Sequence, residues 1–480
     1  MTQTKTRLLI FWFVLFAIAF LFVSLCSESI SPFTLSEGTD SCVFKQMGLV
    51  IIQGKTPYID FFDHKGPVLY CINALGILFK GRWGLFVLNV LNLTFVLFYW
   101  HNIAKQYSTN KTFLPVLSSL VLYMSTMSEG NLTEDWCLLP LSYSLYVATK
   151  IISQKVSISK LESLTIGICA GVIVFIRANN VALLLCSSLF IVYVLYKRRQ
   201  HSDILKFLVL SIVGSFIVVF VIVTFLYVKY GANGIKEMIY GTFIFNIFDY
   251  PHSKYFLNFT LSNSALYIYF YILSLFLCGF SYFNNFGKEN NLVISLFFAL
   301  SFLFCFSTMG QLSFSHYLIT LIPLYLLCIS YAFRESKSKY ILCSILAIVI
   351  SVSSIKHRLS LIIGKEKRDY SSFYSQTDQF MSTFYKIHPG EFWNYNTNFM
   401  AIIMLQRYGL AQTNRIVHDF QYDVHRINVS EKGKLQLARP QYIVIYPRGT
   451  YHYKEDSLWI HTNYRRSASF QWGIEIYKRN

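Results

Sequence analysis

Two aspartates, a histidine and a lysine fall within six residues of "TPYIDFFDHKGPVLY" (56–70): Asp60, Asp63, His64 and Lys65. Groups of these types move protons and hold anions. A carboxylate within hydrogen-bond reach can take the proton of an attacking hydroxyl. A lysine or histidine beside it can steady an oxyanion as charge develops. Similar residues stand elsewhere at intervals: Asp40 upstream, Glu134 and Asp135 in "SEGNLTEDW", Arg177 after a long apolar stretch, and His316 with Tyr317 in "GQLSFSHY". Each also has a plainer reading. Thr39 and Asp40 suit a helix N-terminus ahead of "SCVFKQMGLVII". Asp60, Asp63 and His64 suit a polar turn before Pro67, while Lys65 and Arg177 suit snorkelling at an interface. Glu134 and Asp135 suit the start of a following helix, and His316 with Tyr317 suits an aromatic belt.

The elements that must position these groups are membrane helices. The chain has 480 residues, is 54% hydrophobic and only 14% charged, against about 25% charged in soluble domains. Its mean hydropathy is +0.45. Apolar runs of roughly 17–25 residues recur, the length that crosses a bilayer core. Runs such as "LLIFWFVLFAIAFLFVSL" lack the polar face of a surface helix. The fold class expected is an α-helical multi-pass membrane protein with eleven spans, near 8–26, 83–100, 112–127, 137–152, 161–177, 179–196, 204–227, 264–284, 291–309, 317–333 and 340–355. The first run is too long for a signal peptide and reads as a span.

Orientation follows from the positive-inside rule. Alternate short loops carry Lys5 and Arg7, Lys105 and Lys111, Lys150 to Lys160, Lys197 to Lys206, Lys288, and Arg334 to Lys339. These loops, and so the N-terminus, are expected in the cytoplasm. The opposite loops, 27–82, 128–136 and 228–263, hold the distinctive titratable groups and are expected outside; the last of them suits a helix lying along the interface. Residues 1–355 form the membrane domain in this reading. Residues 356–480 form a small extracytoplasmic α/β domain, with strand-like "EFWNYN" and "QYIVIYP" and a helical "NFMAIIMLQRYGL".

Several function classes are excluded. The net charge of +18 tracks membrane topology, which favours lipid headgroups and a phosphate-bearing substrate over nucleic acid. No phosphate-cradling glycine motif occurs, and the cytoplasmic loops are too short for a nucleotide-binding domain. The ten cysteines show no metal-ligand spacing and read as small apolar fillers. A transferase working outside needs a lipid-linked donor, since nucleotide sugars are cytoplasmic.

The order of "TDSCVFKQMGLVIIQGKTPYIDFFDHKGPVLY", "GNLTEDWCLLPLSYSLY", "GICAGVIVFIRANN" and "GQLSFSHYLITLIP" resembles the GT-C superfamily of integral-membrane glycosyltransferases. It is most similar to the bacterial relatives of the protein O-mannosyltransferases and the lipid A aminoarabinose transferase. The resemblance implies that Asp40 matches the family's catalytic acid and Lys65 its phosphate-contacting lysine. Glu134 or Asp135 matches the assisting acid of the second outer loop. Arg177, His316 and Tyr317 fall where phosphate or sugar contacts are made, with Asp60, Asp63 and His64 as further contacts. Two departures stand out: Asp40 is followed by Ser41 rather than a second acid, and the lysine turn has one proline, Pro67. The first leaves open whether Asp40 works alone or with Asp60 or Asp63.

The implied activity is an inverting transfer of a sugar, expected to be a hexose, from a polyprenyl-phosphate donor to a lipid-linked glycan or other envelope acceptor at the outer face of the bacterial inner membrane. No cofactor is expected; a divalent metal, which some members of the superfamily use, is the less favoured alternative. Two rival readings are a flippase of lipid-linked saccharides, which predicts charges inside spans and repeated broken helices, and an O-antigen polymerase or ligase, which predicts arginines and histidines in one large outer loop.

Overall fold

A computed structural model of the chain describes residues 3–107, 112–127, 129–154, 156–249, 297–305, 315–332, 356–360, 362–383, 392–395, 402–403, 407, 439–445, 453–470 and 473–480. The expected spans at 264–284 and 340–355 lie outside the described residues, as does most of the helical "NFMAIIMLQRYGL". The contacts divide the chain into two compact units. One comprises Met1–Ser27, Phe86–Val223 and His252–Arg358; the other comprises Glu28–Leu85, Thr224–Pro251 and Leu359–Asn480.

The long apolar runs become helices: α1 Gln3–Cys26, α4 Arg82–Tyr107, α5 Phe113–Thr126, α6 Thr133–Gln154, α7 Lys160–Arg177, α8 Ala182–Lys197 and α9 His201–Ile239. Among the described residues, four apolar stretches are long enough to cross a bilayer: Lys5–Cys26, Arg82–Tyr107, Lys160–Lys197 and His201–Phe248. Between α1 and α4 lie two shorter helices, α2 Thr39–Ile52 and α3 Pro67–Leu78. After α9 the chain runs on as a π-helix, Tyr240–Asp249, where the sequence suggested an interfacial segment. A 3-10 segment, Ser315–Leu321, leads into α10 Ile322–Ala332.

Within the first unit, α7 opens on a capping box, with the Ser159 hydroxyl and the Glu162 carboxylate each bonding the other's backbone N–H. Its small residues let α9 approach closely. The Ser211 hydroxyl donates to the Ser163 carbonyl at 3.0 Å, and that of Ser215 to the Gly167 carbonyl at 2.9 Å. Close backbones and cross-helix hydroxyl bonds are the usual means of pairing helices in lipid.

In the second unit, α2 packs on α3 through Gly48. A Cβ there would stand 2.8 Å from the Ala74 nitrogen, so no side chain fits without moving backbone. Pro67 opens α3 at a position where a missing N–H costs nothing. Among its described residues the C-terminal stretch adds α11 Lys365–Thr383, α12 Tyr453–Asn463 and four strands: β1 Phe392–Asn394, β2 Tyr442–Ile445, β3 Tyr464–Ser469 and β4 Glu475–Arg479. Their order is β1-β2-β4-β3, with β1 parallel to β2 and the other pairs antiparallel. β2, "YIVI", is buried on both faces, and its Ile443 and Ile445 form a core with Trp393, Tyr395, Ile460, Tyr464 and Tyr477. The strands expected at "EFWNYN" and "QYIVIYP" are β1 and β2; β3 and β4 had no apolar alternation to announce them.

Candidate active site

The second unit gathers Asp63, His64 and Lys65 into one buried chain. All three are under a tenth exposed. Asp63 Oδ1 stands 3.3 Å from His64 Nδ1, and His64 Nε2 stands 2.6 Å from Lys65 Nζ. An ammonium has only donors, so Nε2 must accept, and the ring proton belongs on Nδ1, facing the carboxylate. Asp63 therefore holds the imidazole in the tautomer that seats Lys65. The Tyr70 hydroxyl donates to Asp63 Oδ2 at 2.7 Å and accepts from the Lys65 amide at 3.0 Å.

The loop backbone is clamped from both sides. The Tyr58 hydroxyl donates to the Lys65 carbonyl at 2.9 Å, and Asn246 donates to the His64 carbonyl at 2.9 Å. Thr242 bonds the Tyr58 hydroxyl at 3.3 Å. Thr242 and Asn246 come from far downstream, on the π-helix. Asp60 does something local: its Oδ2 accepts the Thr56 N–H at 2.6 Å and closes the turn. Asp40 lies half-buried in the first turn of α2, where N-cap Gly38 provides no side-chain cap and the helix end favours an anion.

Burial pushes the Asp63 carboxyl up, but Lys65, the His64 ring and the Tyr70 hydroxyl outweigh it, and the group settles well below the usual carboxylate range. A depressed carboxyl contributes stability that is complete above its unfolded value, near 4, and is lost as pH falls through the folded value. Asp63 therefore stays ionised between pH 5 and pH 9. Thermal unfolding of Asp63→Asn should show a shallower loss of stability below pH 4 than the parent. An identical acid limb in the two proteins would refute this.

The first unit gathers Glu134, Arg177, His316 and Tyr317. Glu134 is 1% exposed. Its Oε1 accepts from Arg177 Nη1 at 2.8 Å, and its Oε2 accepts from the Thr133 hydroxyl at 2.8 Å. Arg177 also donates to the Tyr317 hydroxyl at 2.9 Å, and its guanidinium lies 4.4 Å from that ring's centre. The His316 ring packs edge-on to Tyr317 at 4.7 Å. Asn180, on the 3-10 turn after α7, reaches Glu134 at 3.5 Å. Removing one partner of a buried ion pair strands the other charge. Glu134→Ala should therefore lower stability by about 3–5 kcal/mol, and Glu134→Gln by less, as read from thermal unfolding in detergent.

Asp135, one residue on, faces a different set. Its Oδ1 accepts from the Tyr123 hydroxyl at 2.7 Å and its Oδ2 from the Leu132 N–H at 2.9 Å. The second bond is the return half of a capping box and fastens the start of α6. The turn before it is tight: Gly130 and Asn131 have φ of 78° and 61°. Sequence could not separate two adjacent acids, but helix phase does.

Sequence reasoning passed over Tyr58, Tyr70, Asn180, Thr242 and Asn246. The two tyrosines were hidden among 34 in the chain. Spacing carried one usable signal, because Tyr70 follows Asp63 by seven residues across the Pro67 helix start. No group of three or more histidine, cysteine or acidic side chains with metal-holding geometry occurs among the described residues.

No family model and no curated protein matches the chain. Among solved structures it is similar to ArnT from Cupriavidus metallidurans bound to undecaprenyl phosphate. The TM-score is 0.61 and the identity 13%, with 98% of each chain covered. At that identity the likeness is one of fold alone.

Proposed function

We propose that this protein is a membrane glycosyltransferase that moves a sugar from a polyprenyl-phosphate donor to an acceptor hydroxyl at the outer face of the inner membrane. The observation that carries this reading is the fold shared over 98% of both chains, the solved neighbour holding undecaprenyl phosphate. A buried lysine seated by a histidine, in the loop where the sequence resembles the family's phosphate contact, agrees with it.

In the reaction, the acceptor oxygen attacks the anomeric carbon as the bond from that carbon to the phosphate oxygen breaks. Asp40 takes the acceptor proton. The Lys65 ammonium holds the phosphate as its negative charge grows. Glu134 fixes the guanidinium of Arg177, which with His316 and Tyr317 orients donor or acceptor groups. Attack opposite the leaving phosphate inverts the anomeric configuration. Residues 356–480 lie outside the membrane and select the acceptor.

Purified protein in lipid nanodiscs, given polyprenyl-phosphate hexoses and a crude envelope-glycan fraction, should release free polyprenyl phosphate together with a glycosylated product. Failure with every lipid-linked sugar tried, alongside transport of the intact donor across proteoliposomes, would replace this reading with a flippase.

A further inference from the structure

A second cationic cluster in the Glu28–Leu85 stretch takes no part in the groups above. We infer that the cavity beside Lys45 binds an anionic headgroup, phosphate or carboxylate, carried on an apolar chain. The cavity holds about 320 Å³ and is lined by residues of α2, the end of α3, the start of α4, α11 and Arg407.

Charge balance is the first argument. Lys45 is 7% exposed. Its Nζ donates to the Ser29 carbonyl and to Glu37 Oε2, each at 2.5 Å. Arg82 Nη1 lies 3.7 Å from the other oxygen of the same carboxylate, while Nη2 serves the carbonyls of Glu28 and Ser36. One carboxylate thus answers two cations. Glu28 is not among the lining residues, and its Oε2 accepts from the Ser36 hydroxyl at 3.1 Å. Arg407 brings a third cation that has its own acid, Asp378, at 2.7 Å and 3.0 Å. The cavity lining itself thus carries three cations and one carboxylate, a surplus that an entering oxyanion can meet with charge-assisted bonds.

Shape is the second argument. The same lining includes the apolar side chains of Leu35, Leu49, Ile77 and Leu85. The Tyr374 ring carries the Arg407 guanidinium 4.5 Å from its centre and is itself tied to the Leu35 carbonyl at 3.1 Å. A small polar anion would leave those apolar side chains wetted; an amphiphile covers them as well.

Two sources have this chemistry, a membrane phospholipid and an acceptor that bears an anionic group; the second rests on the transferase reading. The probe is dodecyl phosphate, titrated calorimetrically into the full-length protein in neutral maltoside micelles. Saturable binding is expected, about tenfold weaker in Lys45→Gln and in the surface variant Arg407→Gln. It should be tighter in Glu37→Gln, which removes the competing carboxylate, and should persist in Lys65→Gln. A merely structural Lys45–Glu37 pair would weaken binding in both partners' variants alike. That outcome, or equal affinity in all proteins, or loss confined to Lys65→Gln, overturns the site.

Phosphatidylglycerol displacing the probe assigns a lipid headgroup. Absence of displacement, with a raised acceptor KM and unchanged kcat in Lys45→Gln, assigns the acceptor. Neither effect overturns the site. Binding that depends on Lys45 in a protein that transfers no sugar would keep the site and discard the transferase reading. Transfer with Lys45-independent binding would do the reverse.

Discussion

Asp40→Asn is expected to lower kcat for sugar transfer by about 10²- to 10⁴-fold, the range that general-base removal usually costs. Donor binding should stay near the parent value, because Asn has the same shape and the donor phosphate is held elsewhere. The fold should also survive. Asp40 is half-buried in the first turn of α2, and Asn is tolerated at helix starts. Transfer at the parent rate would show that Asp40 is not the base. Asp60 would then be a poor substitute, since its carboxylate closes the Thr56 turn. Asp63 would be a poor one too, since Lys65, His64 and Tyr70 hold it as the anion that seats the lysine.

The second large effect is expected at Lys65. Lys65→Met keeps the aliphatic stem and removes the ammonium, and it should slow transfer by about 10²- to 10³-fold, as loss of one charge-stabilising donor does elsewhere. Donor KM should rise as well, since the phosphate is bound before reaction. The neighbouring histidine makes the prediction sharper. His64→Gln retains an amide oxygen that can accept from Lys65 Nζ, so it should keep part of the rate. His64→Leu retains no acceptor and should approach Lys65→Met. Equal activity of the two His64 variants would mean that the 2.6 Å contact has no role in seating the lysine.

Much of the membrane fold is legible from the residues because lipid imposes so simple a demand. A run such as "FLVLSIVGSFIVVFVIVTFLYV" can be little else, and it lies within α9. The polar segments obey weaker rules. β3 reads "YRRSAS", is mostly exposed after Tyr464 and has no apolar face, and it becomes a strand because β4 offers it a partner. Lys45 and Arg82 look like ordinary interfacial cations in sequence; only folding brings both onto Glu37. Motif order was enough to single out Lys65, but its supports on the π-helix are too far along the chain for spacing to reveal. Likewise the acids at 134 and 135 differ by one residue in sequence and by about 100° around α6, which sends one to Arg177 and the other to Tyr123.

The pairing of α7 with α9 bears on how the chain is made. Lipid tails are as apolar as leucine, so no hydrophobic force drives these helices together after insertion. Gly167 and the serines at 211 and 215 bring the backbones close enough for the hydroxyl bonds to form. The two helices can dock once both are in the bilayer. A bulky residue at 167 would leave insertion, hydropathy and chain length untouched. The cell would then hold a fully threaded protein whose helices drift apart, a target for membrane proteases rather than a defect of secretion.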